Sequence, residues 1–252
     1  MVMEKRDEEY VYKNIVKIAK KDPNIIGLIL SGSRGKGKQF VTKNSDYDTF
    51  IVVKDGVLKE YKKKVAKYHN EKFDLWCRTI SNFRKREEDW TRYSYSHIKA
   101  VVDKTKEIQK IINEKAKIPK KELKKFIEGR IDGYINSIYR SLKCWRNNNN
   151  LGARLEANRI TDMFFDAVFA LHDRRSTPYY KYLEWDLKKF PLKKLKLSNN
   201  ELLSLITDII DKADIKSQQR LLIVSEKMFR KEWYGKVFDS WPDLEWMKTY
   251  KK

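Results

Sequence analysis

Two aspartates separated by one residue, Asp46 and Asp48, stand at the head of the apolar run Tyr47 to Val53. Successive side chains of a strand point to opposite faces, so carboxylates at i and i+2 share a face. Two like charges held that close repel, and a divalent cation relieves the repulsion; hard oxygen donors on a rigid strand suit magnesium. The plainer alternative is a pair of exposed aspartates capping a strand. Upstream, the run Ile25 to Leu30 stops at Ser31-Gly32-Ser33-Arg34-Gly35-Lys36-Gly37. Glycine lets backbone N–H groups turn toward phosphate oxygens, and the Ser33 hydroxyl adds a donor.

The elements that must hold these residues follow from periodicity. Val11, Ile15, Ile18 and Ala19 recur at helical spacing between Asp7 and about Lys21, where Pro23-Asn24 breaks the pattern. Ile25 to Leu30, Tyr47 to Val53 and Lys72 to Ile80 are expected strands, with a helix from Leu58 to about Lys67. After Phe83 the texture is helical and charged, with almost no strand signal. Helices are expected from Pro119 to about Cys144 and from about Ala153 to Leu171, with the asparagine run 147–150 as a turn between them. Leu202 to about Trp233 reads as one or two more. The expected fold class is α+β, a small mixed-sheet domain over residues 1–115 followed by an α-helical bundle domain over residues 116–252.

The segment LILSGSRGKGKQFVTKNSDYDTFIVV, a strand, Gly-Ser, a spacer, Asp-x-Asp and a further strand, resembles the hallmark of the polymerase-beta-like nucleotidyltransferase superfamily. The resemblance implies a nucleotidyltransferase that moves a nucleoside monophosphate from a nucleoside triphosphate, expected to be ATP, to an acceptor hydroxyl, with release of pyrophosphate. It implies two magnesium ions, with Asp46, Asp48 and a third carboxylate from a later strand as ligands and Gly32 and Ser33 on the β- and γ-phosphates. Asp74, in Lys72-Phe73-Asp74-Leu75-Trp76-Cys77, is the candidate third ligand; alternation puts it on one face with Trp76 and Arg78. An aspartate on a polar strand face also needs no function.

The helical half carries two further candidates. Phe169-Ala170-Leu171 followed by Pro178 and Lys181-Tyr182-Leu183 is similar to a segment of small bacterial and archaeal nucleotidyltransferases, antibiotic-modifying enzymes among them. That likeness implies that Lys181 touches the triphosphate, as lysine does as a point charge; an ordinary solvated lysine is the alternative. Glu156 falls on the stripe formed by Ile160, Met163, Phe164, Ala167 and Leu171, and a carboxylate aligned with a core face is unusual. It is expected either as a general base toward the acceptor or as a first-turn glutamate satisfying the helix dipole.

Composition bounds the rest. Lysine and arginine number 56 against 35 acids, a net charge of +21, which concentrates polyanions around a surface. Such a charge departs from aminoglycoside-modifying relatives, whose substrates are polycations, and suits tRNA or another nucleic acid as acceptor. It also fits solvated helix faces of a lysine-rich chain. Cys77 and Cys144 lie far apart, and His69, His97 and His172 lack ligand spacing, so no zinc site or disulfide framework is expected. The first residues carry charge where a signal peptide needs an apolar run, and no later stretch reaches the length of a spanning helix, so a soluble, cytoplasmic chain without a membrane partner is expected. The tryptophans of the C-terminal part, Trp233, Trp241 and Trp246, are expected to pack onto the helical domain, with a base-stacking surface as the alternative. Two rival readings stay open: a catalytically silent basic protein that binds nucleic acid, and a toxin–antitoxin component that modifies a protein or tRNA.

Overall fold

The computed structural model describes residues 8–85 and 89–252, with the side chains of residues 89 and 90 left aside. It divides into two compact units, Met1–Lys117 and Ile118–Lys252. The first begins with helix α1 (Glu8–Lys21), which seats Ile15 and Ala19 on the sheet; Asp7, the expected start of this helix, lies outside the described residues. Strands β1 (Ile25–Leu30), β2 (Tyr47–Val53), β3 (Phe73–Thr79) and β4 (Ala100–Asp103) form one mixed sheet in the order β3-β2-β1-β4. β1 runs antiparallel to both β2 and β4, and β2 and β3 run parallel, joined by α3 (Leu58–Ala66).

Both faces of the sheet are covered. Ile25, Leu28, Ile51 and Leu75 pack with α1 and with Tyr61 and Val65 of α3. On the opposite face Ile26, Ile29 and Val52 pack with Ile80 and Phe83 of α4 (Ile80–Arg84) and with Ile108 and Ile112 of α5 (Ile108–Lys115). This explains why β1 is an unbroken apolar run, since a central strand buried on both faces has no polar side to show.

β4 is a strand where none was expected. Its four residues, AVVD, are too few to establish an alternating pattern, and they gain their strand identity by pairing with β1 at Gly27, Leu28 and Ile29. That pairing is a long-range fact invisible to a local window.

The second unit is helical. α6 (Lys120–Arg146) and α7 (Asn150–Leu171) pack through Ile131, Tyr134, Ile138 and Leu142 of the first and Ala153, Ala157, Ile160 and Phe164 of the second. α7 starts at Asn150 rather than Ala153, because Asn149 caps it by accepting the Gly152 N–H at 2.8 Å. Further helices are α8 (Leu183–Lys189), α9 (Asn199–Lys212), α10 (Ile215–Lys231), α11 (Gly235–Asp239) and α12 (Leu244–Thr249). Between α9 and α10, Ala213 takes a left-handed conformation and Asp214 caps the next helix through the Ser217 N–H. The expected helical stretch after Leu202 is therefore two helices.

Trp241 and Trp246 pack against Tyr139 as expected, with ring centroids 5.8 and 5.9 Å away. Trp233 does not: it is 93% exposed, on a backbone turned to φ 71° just after α10. The helix ends before it, and the left-handed turn carries its indole away from the core. His172 is satisfied, its Nδ1 donating to the Val168 carbonyl at 2.7 Å and its Nε2 accepting the Lys194 N–H at 3.1 Å. Burial lowers its pKa, in keeping with that neutral arrangement. Cys77 and Cys144 are free thiols, and no described helix is long and apolar enough to cross a membrane.

Candidate active site

The glycine-rich turn and the aspartate pair are fastened to each other before any ligand is considered. Ser31 donates to the Asp48 carbonyl from both its N–H (2.8 Å) and its hydroxyl (3.2 Å), extending the β1–β2 pairing to the chain reversal. Gly32 then turns left-handed at φ +58° and opens the short helix α2 (Gly32–Lys36). A Cβ on Gly32 would lie 1.8 Å from Asp48 Oδ2 and 2.8 Å from its Cγ. Glycine is therefore required here twice over, for its backbone conformation and for the space that the Asp48 carboxylate fills.

Ser33 and Arg34 hold the segment that leads into β2. The Ser33 hydroxyl bonds that of Ser45 at 3.0 Å, and the Arg34 guanidinium donates to the carbonyls of Asp46 (3.0 Å) and Ser45 (3.1 Å). The same guanidinium lies 4.0 Å over the Tyr47 ring. Tyr47, the residue between the two aspartates, also stacks on Phe73 and Tyr12 and donates its hydroxyl to Glu9. Burial, reinforced by that hydrogen bond, raises its pKa. With Tyr47 locked into the opposite face, strand alternation leaves Asp46 and Asp48 on the half-buried side, where Phe50 follows. Lys36 is buried beneath the turn, donating to the carbonyls of Tyr93 and Ser96 at 3.0 and 2.6 Å.

β3 brings the third carboxylate alongside. In the parallel register Asp48 stands opposite Asp74, and burial along β3 alternates so that Asp74, Trp76 and Arg78 share the less buried face. Asp74 Oδ1 is buried and has no hydrogen-bond partner; His69 Nδ1 lies 2.8 Å from it, at ion-pair distance but without the alignment of a hydrogen bond. Composition did not single out this histidine. The turn in which Asn70 bridges to Phe73 folds it back onto the head of β3. Trp76, 51% exposed, meets the His69 ring edge-on at 5.4 Å.

Gly32, Ser33, Asp46, Asp48 and Asp74 thus belong to one end of the sheet unit, while Glu156 and Lys181 belong to the helical unit. Glu156 is in α7 beyond the first turn, so a helix-dipole role does not describe it. Its Oε1 pairs with Arg140 Nη2 at 2.8 Å, and its Oε2 is buried and accepts no hydrogen bond. On the same helix Asp166 has both oxygens engaged, Oδ2 by Arg130 at 3.1 Å and Oδ1 by the Thr177 hydroxyl at 2.6 Å. Lys181 is exposed, with Nζ 5.0 Å over the Tyr182 ring.

The donor set suits a hard cation: side-by-side carboxylates on β2 and β3, one with a buried oxygen that accepts no hydrogen bond and has the His69 ring 2.8 Å away. Among the described residues no group of three or more His, Cys, Asp or Glu side chains is gathered so as to hold a metal ion by itself. Magnesium does not require such a cage, since it commonly takes one or two carboxylates and completes its octahedron with water and substrate phosphates.

A sheet that ends β1 in a Gly-Ser turn and presents aspartates on the adjoining β2 and on β3 next to it is the arrangement of a nucleotidyl-transfer domain. Residues 12–132 match the sequence model of the nucleotidyltransferase domain family, which supports the polymerase-beta-like nucleotidyltransferase resemblance of this segment. Among solved structures, it is similar to a nucleotidyltransferase-like protein from Exiguobacterium sibiricum, at 10% identity over 93% of this chain and 80% of that one, with a TM-score of 0.43. No curated protein matches.

Proposed function

We propose that the chain is a magnesium-dependent nucleotidyltransferase that transfers a nucleoside monophosphate from a nucleoside triphosphate, ATP in the first instance, to a hydroxyl of tRNA or another nucleic acid. The observation that carries this most directly is the fit of the Asp48 carboxylate into the space left by Gly32. A phosphate-binding turn and a metal-binding carboxylate held that close serve one ligand, a metal-chelated triphosphate.

In the reaction the acceptor oxygen attacks the α-phosphorus, a new P–O bond forms, and the bond to pyrophosphate breaks. Asp46, Asp48 and Asp74 would hold the magnesium, which when bound supplies polarisation of acceptor and phosphate oxygens and neutralises developing charge. Gly32 and Ser33 place the β- and γ-phosphates, and the Arg34 bonds to the Ser45 and Asp46 carbonyls fix the aspartates relative to that turn. Lys181 contributes a cation to the triphosphate. Glu156 takes the acceptor's proton, and its unengaged Oε2 favours it over Asp166 for that role. The net charge of +21 supports a polyanionic acceptor over a polycationic one.

Two measurements test this. Nucleotide affinity should depend on magnesium, because without the cation the carboxylates repel the triphosphate; affinity that is the same with magnesium and with a chelator would contradict the metal assignment. Glu156→Gln keeps the shape and removes the proton acceptor, so turnover should fall by roughly 10²–10⁴-fold with nucleotide affinity nearly unchanged. Unchanged turnover on the acceptor would leave Glu156 as the structural partner of Arg140.

A further inference from the structure

The helical unit contains an open cleft of about 960 Å³ between the start of α10 and the segment that follows α12. Its lining is strongly cationic, with Lys212, Lys216, Lys248, Lys251 and Lys252 against a single acid, Asp214. Asp214 is already engaged in capping α10. Lys248 is neutralised by Glu226 and Glu245, both at 2.7 Å. Lys216 and Lys251 are exposed and pair with no acid among the described residues.

The walls are built rather than loose. Gln219 donates to the carbonyls of Met247 and Tyr250 at 3.0 and 2.9 Å, fastening the C-terminal segment across α10. The Trp145 indole N–H donates to the Ala213 carbonyl at 2.9 Å, and the Lys252 ammonium sits 4.2 Å over the indole ring. Two aromatic side chains, Trp145 and Tyr250, therefore stand among the cations.

Building on the nucleic-acid acceptor proposed above, we infer that this cleft binds a stretch of single-stranded nucleic acid through its phosphates. A compact anion is held by donors that converge on one point, whereas an open cleft of about 960 Å³ whose lysines come from three segments, α9 (Lys212), α10 (Lys216) and the stretch from α12 onward (Lys248, Lys251, Lys252), matches an extended polyanion. Interleaved aromatic and cationic side chains are the usual surface for single strands. A concave cleft also does not match a flat membrane surface. Lys216 and Lys251 carry the phosphate contacts, Lys252 adds to the field, Lys212 is paired with Asp208 at 3.4 Å, and the segment after α12 fixes the position of the strand.

The test is fluorescence polarisation of a labelled single-stranded RNA oligonucleotide with the full chain, in chelator and without nucleotide, so that the outcome does not depend on catalysis. Lys216→Glu with Lys251→Glu should weaken binding by roughly 10–100-fold and flatten its salt dependence between about 50 and 200 mM. Lys216→Arg with Lys251→Arg should retain it. Lys193→Glu with Lys196→Glu makes the same change in net charge at exposed lysines that do not line the cleft, and should cost much less. Equal losses from the cleft pair and the control pair would overturn the site, as would absence of RNA binding or displacement of the RNA by millimolar inorganic phosphate. Transfer that fails while cleft-dependent binding persists would count against the enzymatic proposal alone.

Discussion

Asp48→Asn is expected to reduce nucleotidyl transfer by roughly 10³-fold or more, the scale on which single electrostatic contributors to a catalytic site are felt, while leaving the chain folded. The substitution preserves size and keeps the backbone carbonyl that accepts both bonds from Ser31. What it removes is the charge that a magnesium-chelated triphosphate needs beside the Gly32 turn, so nucleotide affinity should fall along with turnover. This differs from Glu156→Gln, which should spare affinity. Pyrophosphate release and a thermal melt on the same preparation distinguish lost chemistry from lost fold. Near wild-type turnover in a folded Asp48→Asn variant would remove this carboxylate from the site.

Gly32→Ala should be as damaging by a different route. Alanine at φ +58° costs about 1–2 kcal/mol in backbone strain alone, and its Cβ would need the position now held by Asp48 Oδ2, 1.8 Å away. The carboxylate must swing aside or the turn must open, and either movement separates the turn proposed to hold the phosphates from the carboxylate proposed to hold the metal. Gly56→Ala serves as the control. That glycine also has a positive φ, +91°, but nothing lies within 4 Å of the added Cβ, so it should lose stability by strain without losing transfer. If both alanine variants kept full activity, or both lost it equally, close packing of Asp48 against Gly32 would not be what the reaction depends on.

These two variants concern the part of the molecule that was most legible in the sequence. β1, β2 and β3 were readable because each is defined by its own residues: an apolar run in β1, and alternation in β2 and β3 that places Asp46, Asp48 and Asp74 on the polar side. The polymerase-beta-like resemblance rested on the same segment, and the family match covers it. What escaped depends on contacts between distant residues. β4 is a strand because β1 offers it an edge, and His69 stands by Asp74 because of a turn at Asn70. Arg34 was visible only as one basic residue in a glycine-rich turn, yet it bonds the carbonyls of Ser45 and Asp46. Periodicity placed Glu156 on an apolar stripe, but its pairing with Arg140 of α6 could not be read from one helix. Trp233 illustrates the reverse case, a hydrophobic residue whose exposure is decided by a left-handed backbone position just past a helix end.

The most direct test of the central claim is transfer itself. The full chain is incubated with magnesium, a total-RNA or lysate pool, and each nucleoside triphosphate labelled in turn at the α- and at the γ-phosphate. The account predicts that α-label from at least one nucleotide becomes attached to an acceptor, that γ-label leaves as pyrophosphate, and that chelator or Asp48→Asn abolishes both. No transfer of α-label from any nucleotide, or labelling that stays near the wild-type level in Asp48→Asn, would contradict it.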